Sequence, residues 1–458
     1  MERDSLDFRS MKVGQLFAKQ LFPTVLGMVF SAVFIITDGI FVGRGIGSDA
    51  LAAVNIAAPL FVFAAGLGLM FGMGGAIIAS INLAKGKEKV ANINATQSVL
   101  VSSIIMIFVS AIVMLFTIPV ARMLGAPDDI LELAREYLFT YAMFAVFQTL
   151  LSVLTFFVRL DAPKIAMWSM TTAAILNIIL DYIFIFEFKW GLTGAAVATG
   201  LGEIVGCVMM LVFLIGYSPR VRLGRLKISK KSMLLTVRNT GYITRLGFSA
   251  FLGEAAIGVM MLTGNYVFVR YLGTDGVAAF SIVCYLFPII FMIFNAIIQS
   301  AQPIISYNYG CGENNRAKYA FRLAIYVTVG CGLVFFLGTL LLRDPMVTLF
   351  ISDTTHDAWH IATDGMPWFA IGYLFFGLNL IAVGYYMSIE NSKPATIFTL
   401  LRGVIFPVIC FFVLPLWWGV RGIWLAVPMA ELLTTAIIIT YAVIQRAQAR
   451  GKIYTVNT

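Results

Sequence analysis

The sequence predicts an all-α polytopic membrane protein with twelve transmembrane helices, and three observations carry that reading. First, 60% of the residues are hydrophobic and only 12% are charged, a balance that excludes a soluble globular domain. Second, the apolar runs are continuous over about twenty residues, enough for a helix to cross a bilayer. They lack the alternation that a membrane barrel strand requires. Third, Lys and Arg collect in every second connecting segment, as expected when positive charge stays on the cytoplasmic side.

The spans fall near residues 20–43, 53–81, 94–119, 135–158, 165–187, 192–216, 243–270, 277–304, 319–342, 366–388, 396–416 and 422–445. The polar segment before the first span reads as a cytoplasmic lead-in helix, not a cleavable signal. With the N-terminus inside, the outer loops hold only Arg44, Arg122, Arg135, Lys189, Arg270, Arg343 and Arg421. The net charge of +9 is then a matter of topology, and no nucleic-acid partner is expected. Its densest part, Ser218 to Arg245, includes Arg220, Lys227, Lys230 and Lys231 and reads as a linker lying on anionic headgroups.

The chain is a duplication. Gly47–Asn55 matches Gly273–Ser281, and Asn82–Gly86 matches Asn308–Gly312, both at an offset of 226. Trp190–Gly194 matches Trp418–Gly422, and Glu203 falls opposite Glu431, at an offset of 228. Four anchors in one order argue for a repeat. Six spans per half make the halves parallel, related about an axis along the membrane normal. The expected organisation is an N-lobe over 1–217, a basic linker over 218–245 and a C-lobe over 246–458.

Within the spans, intramembrane carboxylates are the candidates for function, because one at mid-span costs about 2.5–3.5 kcal/mol on insertion scales. Asp38 is the lone acid of the first span, and Asn265 takes its place in the second half. Phe34 and Asp38, like Asn177 and Asp181, are four residues apart and so share a helix face. Counted along the helices, Asp38, Asp181 and Thr199 reach overlapping depths in the outer half. Two carboxylates held together in low dielectric cannot both stay ionised without a counter-charge. A proton, a Na⁺ ion or a cationic substrate would compete for that place. Glu203, one turn inward of Thr199, could extend the site, relay a proton, or share a structural role with Glu431; Glu254 is a further candidate. Glu390, near the cytoplasmic end of the tenth span, is expected to cap it or to pair with Lys393 or Arg402. Pro23 marks a possible bend in the first span. The five cysteines read as apolar packers, and His356 and His360 as solvated loop residues.

Several segments carry a family likeness: ITDGIFVGRGIGSDALAAVNIAAPL, INLAKGKEKVAN, LGAPDDI and LDAPKIAMWSMTTAAILNIILDYIFIF. Together they resemble the multidrug and toxic compound extrusion (MATE) transporters, in particular the DinF-like and MepA-like bacterial branches, over nearly all spans. The resemblance implies two pseudo-symmetric six-helix lobes forming a V-shaped cavity. It also implies a multi-pass protein of the bacterial inner membrane, exporting lipophilic cations by alternating access in exchange for H⁺ or Na⁺. An N-lobe cation site would fall on Asp38, Asn177, Asp181 and Thr199, with Phe34 where some relatives carry tyrosine and Pro23 as a hinge. Glu254 matches a glutamate of another branch, whose tenth-span aspartate has no counterpart here. No cofactor beyond the coupling ion, no enzymatic activity and no partner beyond substrate and lipid are expected, and the chain is expected to act as a monomer. The alternative is a lipid or lipid-linked sugar flippase of the same architecture, which would need basic residues for phosphates that these spans almost lack.

Overall fold

A computed structural model describes residues 7–226, 229–351 and 354–456. Lys227, one of the linker cations, lies outside them. Every regular element among the described residues is helical: α1 (Val13–Gly45), α2 (Ser48–Ala84), α3 (Glu88–Leu115), α4 (Thr117–Met123), α5 (Leu131–Asp161), α6 (Pro163–Tyr182), α7 (Gly191–Val212), α8 (Lys230–Gly310), α9 (Asn314–Thr348), α10 (Asp357–Ala370), α11 (Tyr373–Ser388), α12 (Ser392–Leu400), α13 (Phe406–Trp424) and α14 (Ala426–Val456). Single π-helical turns continue α6 and α7 and join α12 to α13.

Ten of these helical stretches are long and apolar enough to cross a membrane, and α10 with α11, bent by 44°, makes an eleventh. The difference from twelve separate spans lies in α8, an 81-residue element in which Gly273 alone leaves helical geometry (φ 64°, ψ −153°). Only glycine reaches that region without a steric penalty, and the sequence places a loop there. Over residues 218–226 the basic linker carries no regular element. The Ser229 hydroxyl then caps α8 by accepting from the N–H of Ser232 at 3.2 Å, so helix begins well before the expected seventh span. Pro23 sits inside α1 without ending it.

The chain divides into two compact units, Met1–Ala255 with Gln299–Ala320 and Met387–Ser392, and Ala256–Ile298 with Phe321–Tyr386 and Lys393–Thr458. In the first, α2 packs along α5 and α3, and α6 lies between α1 and α7. Glycine permits the α2–α5 approach: a Cβ on Gly72 would sit 2.5 Å from the ring of Phe156. The segment before α1 is strapped down by Arg316, whose Nη2 donates to the carbonyls of Phe8 and Met11 at 3.2 and 2.7 Å. There the Ser10 hydroxyl and the N–H of Arg9, both donating to Asp7, hold its carboxyl below the usual carboxylate range. In the second unit, α13 packs along α14, with Trp424 buried edge-on against Phe268 at 4.8 Å.

A candidate ion site in the first unit

The site is assembled by helix approach. Gly202 and Gly206, four residues apart on α7, face α6. A Cβ on Gly202 would lie 2.7 Å from the Ala173 carbonyl oxygen and 3.4 Å from Asn177 Cβ. That small-residue stripe, of the kind that lets membrane helices close on each other, brings Asn177 to Thr199, and Asn177 Nδ2 donates to Thr199 Oγ1 at 3.1 Å. Gly202→Leu is expected to force α6 and α7 apart, costing about 1–3 kcal/mol as overpacking does. A lowered melting midpoint together with weakened transport would show it, and a wild-type midpoint would count against this account of the approach.

The polar groups that the resemblance assigns to one site, and that spacing puts at overlapping depths, do meet. Asp38 and Asp181 come within interaction range of each other, and Asn177 lies beside Asp181. Asp181, Asn177 and Thr199 are 0%, 2% and 4% exposed. Yet both oxygens of Asp181, Oδ1 of Asp38 and Oδ1 of Asn177 lack a hydrogen-bond partner among the described residues. Buried carboxylates are normally satisfied, so two facing acids without donors form a cluster suited to a proton or a cation. Phe34, one turn before Asp38, has no hydroxyl with which to serve it.

Inward of this cluster lies a cavity of about 50 Å³, lined by Ser31, Phe34, Met170, Asn177, Thr199 and Glu203 among others. It has room for water-sized particles, far below the volume of a drug pocket. Glu203 is 8% exposed, and its Oε2 has no partner among the described residues.

Two residues of the site went unread in the sequence. Tyr137 on α5 is fully buried within electrostatic reach of Asp38, Asp181 and Glu203. Tyr141, one turn on, is near Glu203, and the two rings are parallel with centroids 6.3 Å apart. Their i, i+4 spacing on an apolar helix was the available signal. Glu254, on α8, makes no hydrogen bond among the described residues and does not line the cavity. Asn265 has an unpartnered, buried Oδ1 in the other unit and is not part of this cluster. The ligand atoms on offer are carboxylate, amide and hydroxyl oxygens, which suit a hard cation rather than a soft metal.

The second unit resolves its buried acid differently. Glu431, the repeat counterpart of Glu203, is 3% exposed and paired with Arg402, 5% exposed. Arg402 Nη2 and Nε donate to its two oxygens at 2.8 and 3.2 Å, and Asn379 Nδ2 donates at 2.6 Å. Thr435 Oγ1 in turn donates to Asn379 Oδ1 at 2.9 Å, and Arg402 lies 4.4 Å from the centre of the Phe376 ring. Glu390 therefore does not pair with Arg402; it accepts from the Tyr242 hydroxyl at 2.8 Å. The symmetric role expected of the two glutamates fails in its contacts, because one is neutralised by a fixed guanidinium and the other has no ion-pair partner among the described residues.

Comparison with known proteins follows the same lines. The MatE family pattern matches residues 23–183 and 250–412, once in each half of the duplication. Multidrug export protein MepA of Staphylococcus saprophyticus is 26% identical over 428 residues, covering 92% of this chain and 91% of that protein. MepA of Staphylococcus aureus (strain MSSA476) is 28% identical over 434 residues with the same coverage. In fold, the chain is similar to an outward-facing multidrug resistance MATE family transporter of the MOP superfamily, with a TM-score of 0.88, 19% identity, and coverage of 96% of this chain and 97% of that one. With both halves matched and the helices laid out as in that fold, the chain belongs to the MatE family.

Proposed function

We propose that the protein is a secondary active multidrug exporter that moves lipophilic organic cations outward against H⁺ or Na⁺ by alternating access. The observation that carries the reading is the buried meeting of Asp38 and Asp181 beside Asn177 and Thr199, with carboxylate oxygens that no described donor satisfies. An exporter needs such a group: one that takes a cation from outside, gives it up, and cannot hold substrate-induced and ion-induced charge states together. The relatives named for multidrug export support the substrate class. The small cavity beside the acids suits the coupling ion, so the organic cation would be held elsewhere in the protein.

In the finer picture, α8 counts as two spans divided at Gly273, giving twelve in two six-helix lobes around a V-shaped cavity. The N-lobe comprises residues 1–217, the linker 218–245 and the C-lobe 246–458, with the N-terminus cytoplasmic in a bacterial inner membrane. Asp38, Asn177, Asp181 and Thr199 bind the ion, Glu203 and Tyr137 border it, and Pro23 lets α1 bend. Glu254 and Asn265 are second-tier candidates, and the chain acts as a monomer.

The test is ethidium efflux from proteoliposomes under separately imposed pH and Na⁺ gradients. Efflux driven by one gradient alone identifies the coupling ion. A folded protein that moves none of several lipophilic cations under either gradient would overturn the reading.

A further inference from the structure

Outside the acid cluster, the buried charge with the least compensation is Arg159, near the C-terminal end of α5. It is 2% exposed, and no carboxylate is within ion-pair distance of it among the described residues. All its partners are neutral. Nη1 donates to Gln299 Oε1, Nη2 lies 3.7 Å from Met170 Sδ, and the Phe156 ring centre is 5.9 Å from the guanidinium carbon. Gln20 Nε2 fixes the local backbone by donating to the Arg159 carbonyl at 2.9 Å. Asp161, two residues on, makes no ion pair with it: its Oδ2 accepts from the Ser218 hydroxyl and from the N–H groups of Arg220 and Val221, and its buried Oδ1 has no partner among the described residues.

A buried guanidinium without a counter-charge is costly. The same chain shows how it can be neutralised, since Arg402 is clasped by Glu431. What distinguishes Arg159 is its position. Met170, which contacts its Nη2, also lines the small cavity together with Asn177, Thr199 and Glu203. The cavity is therefore backed on that side by a fixed positive charge, toward the end of α5 that the charge distribution assigns to the cytoplasm. Cations repel strongly in a low-dielectric interior, and a fixed arginine is one way a pathway excludes protons and cations.

We propose that Arg159 is the electrostatic barrier that closes the N-lobe ion site to the cytoplasm. A proton or Na⁺ that enters from outside and reaches Asp38, Asp181 and Glu203 meets this uncompensated charge before it can pass inward. It then leaves only when the transport cycle displaces it. The neutral direct contacts, Gln299, Met170 and Phe156, are part of the device, since a carboxylate paired with the guanidinium would cancel much of the field. The inference rests on the ion-coupled reading above.

The experiment measures ion flux without substrate, in proteoliposomes carrying a luminal pH dye under an imposed pH gradient, or by ²²Na⁺ uptake under a Na⁺ gradient. Arg159→Gln is expected to raise the substrate-free leak about tenfold or more, while Arg159→Lys, which keeps the charge, stays near wild type. Gln299→Glu leaves the arginine in place and supplies a counter-charge. It would strengthen a purely structural arginine, but here it is expected to leak, so it keeps the idea testable if Arg159→Gln does not fold. Adding Glu203→Gln to a leaking variant should lower the leak, because the path runs through the cavity. Tight vesicles with folded Arg159→Gln and Gln299→Glu, in a preparation whose wild type couples ethidium efflux to the gradient, would overturn the barrier alone. Loss of coupling in the wild type itself would instead overturn the transport reading.

Discussion

Arg402→Leu is expected to destabilise the protein by about 3–5 kcal/mol, the cost of stranding a buried carboxylate without its counter-charge. Glu431 is 3% exposed and takes three of its contacts from Arg402 and Asn379, so water cannot replace the guanidinium. Glu431→Gln alone should cost less, because Asn379 and one Arg402 donor still find an oxygen, although the arginine then loses its anion. The double change Arg402→Leu with Glu431→Leu is expected to recover most of the loss, since replacing both ions by apolar groups is often neutral. Asn379 would keep an acceptor in the Glu431 backbone carbonyl at 2.8 Å, a bond that does not depend on the side chain. Detergent melting curves of the three variants under one protocol check this. A double variant as unstable as the single would mean that packing around Phe376, rather than charge, holds this part of α12–α14 together.

The second large effect concerns the acid cluster. Asp38→Asn and Asp181→Asn should each reduce gradient-driven ethidium efflux by about one to two orders of magnitude, the scale of losing one charge-assisted contact of about 1.5–3 kcal/mol. Both variants should remain folded, because neither carboxyl is needed by a described donor: both oxygens of Asp181 and one of Asp38 are buried without a partner. Thr199→Ala should have a smaller effect, removing one hydroxyl from Asn177. If efflux driven by an ion gradient is undiminished in Asp38→Asn, the assignment of that residue to the coupling site is wrong. Equal and additive losses in the two single variants and the double would also count against a shared ion, because groups that act on one ion are not independent.

Much of this was legible in the chain itself. Composition, span length and the sorting of Lys and Arg announce a helical membrane protein, because a spanning backbone is satisfied only in helices or closed barrels and the runs lack a barrel's alternation. The repeat anchors point to duplication, and the loops they mark fall where Gly273 and Gly419 (φ 55°) turn the backbone. The resemblance assigns Asp38, Asn177, Asp181 and Thr199 to one site, and helix-face arithmetic agrees on shared faces and overlapping depths, since periodicity and depth fix a side chain's place on a straight helix. Tyr137 was missed although its spacing from Tyr141 was visible, because an aromatic pair on an apolar helix has no distinctive sign.

Which neighbour a buried charge finds is another matter. Glu203 and Glu431 are matched in the repeat, and nothing in their local sequence says that Glu431 meets Arg402 while Glu203 meets no cation among the described residues. Arg159 reads as one more basic residue at the inner end of a span. Only the folded arrangement gives it Gln299 and Met170 for company and an ion-sized cavity behind that methionine. The reason is physical. Span, side and face are set by interactions of each helix with the bilayer, which the local sequence carries. Charge pairing is set by contacts between helices far apart in the chain, and a shift of one turn decides whether a buried ion is neutralised or left to act.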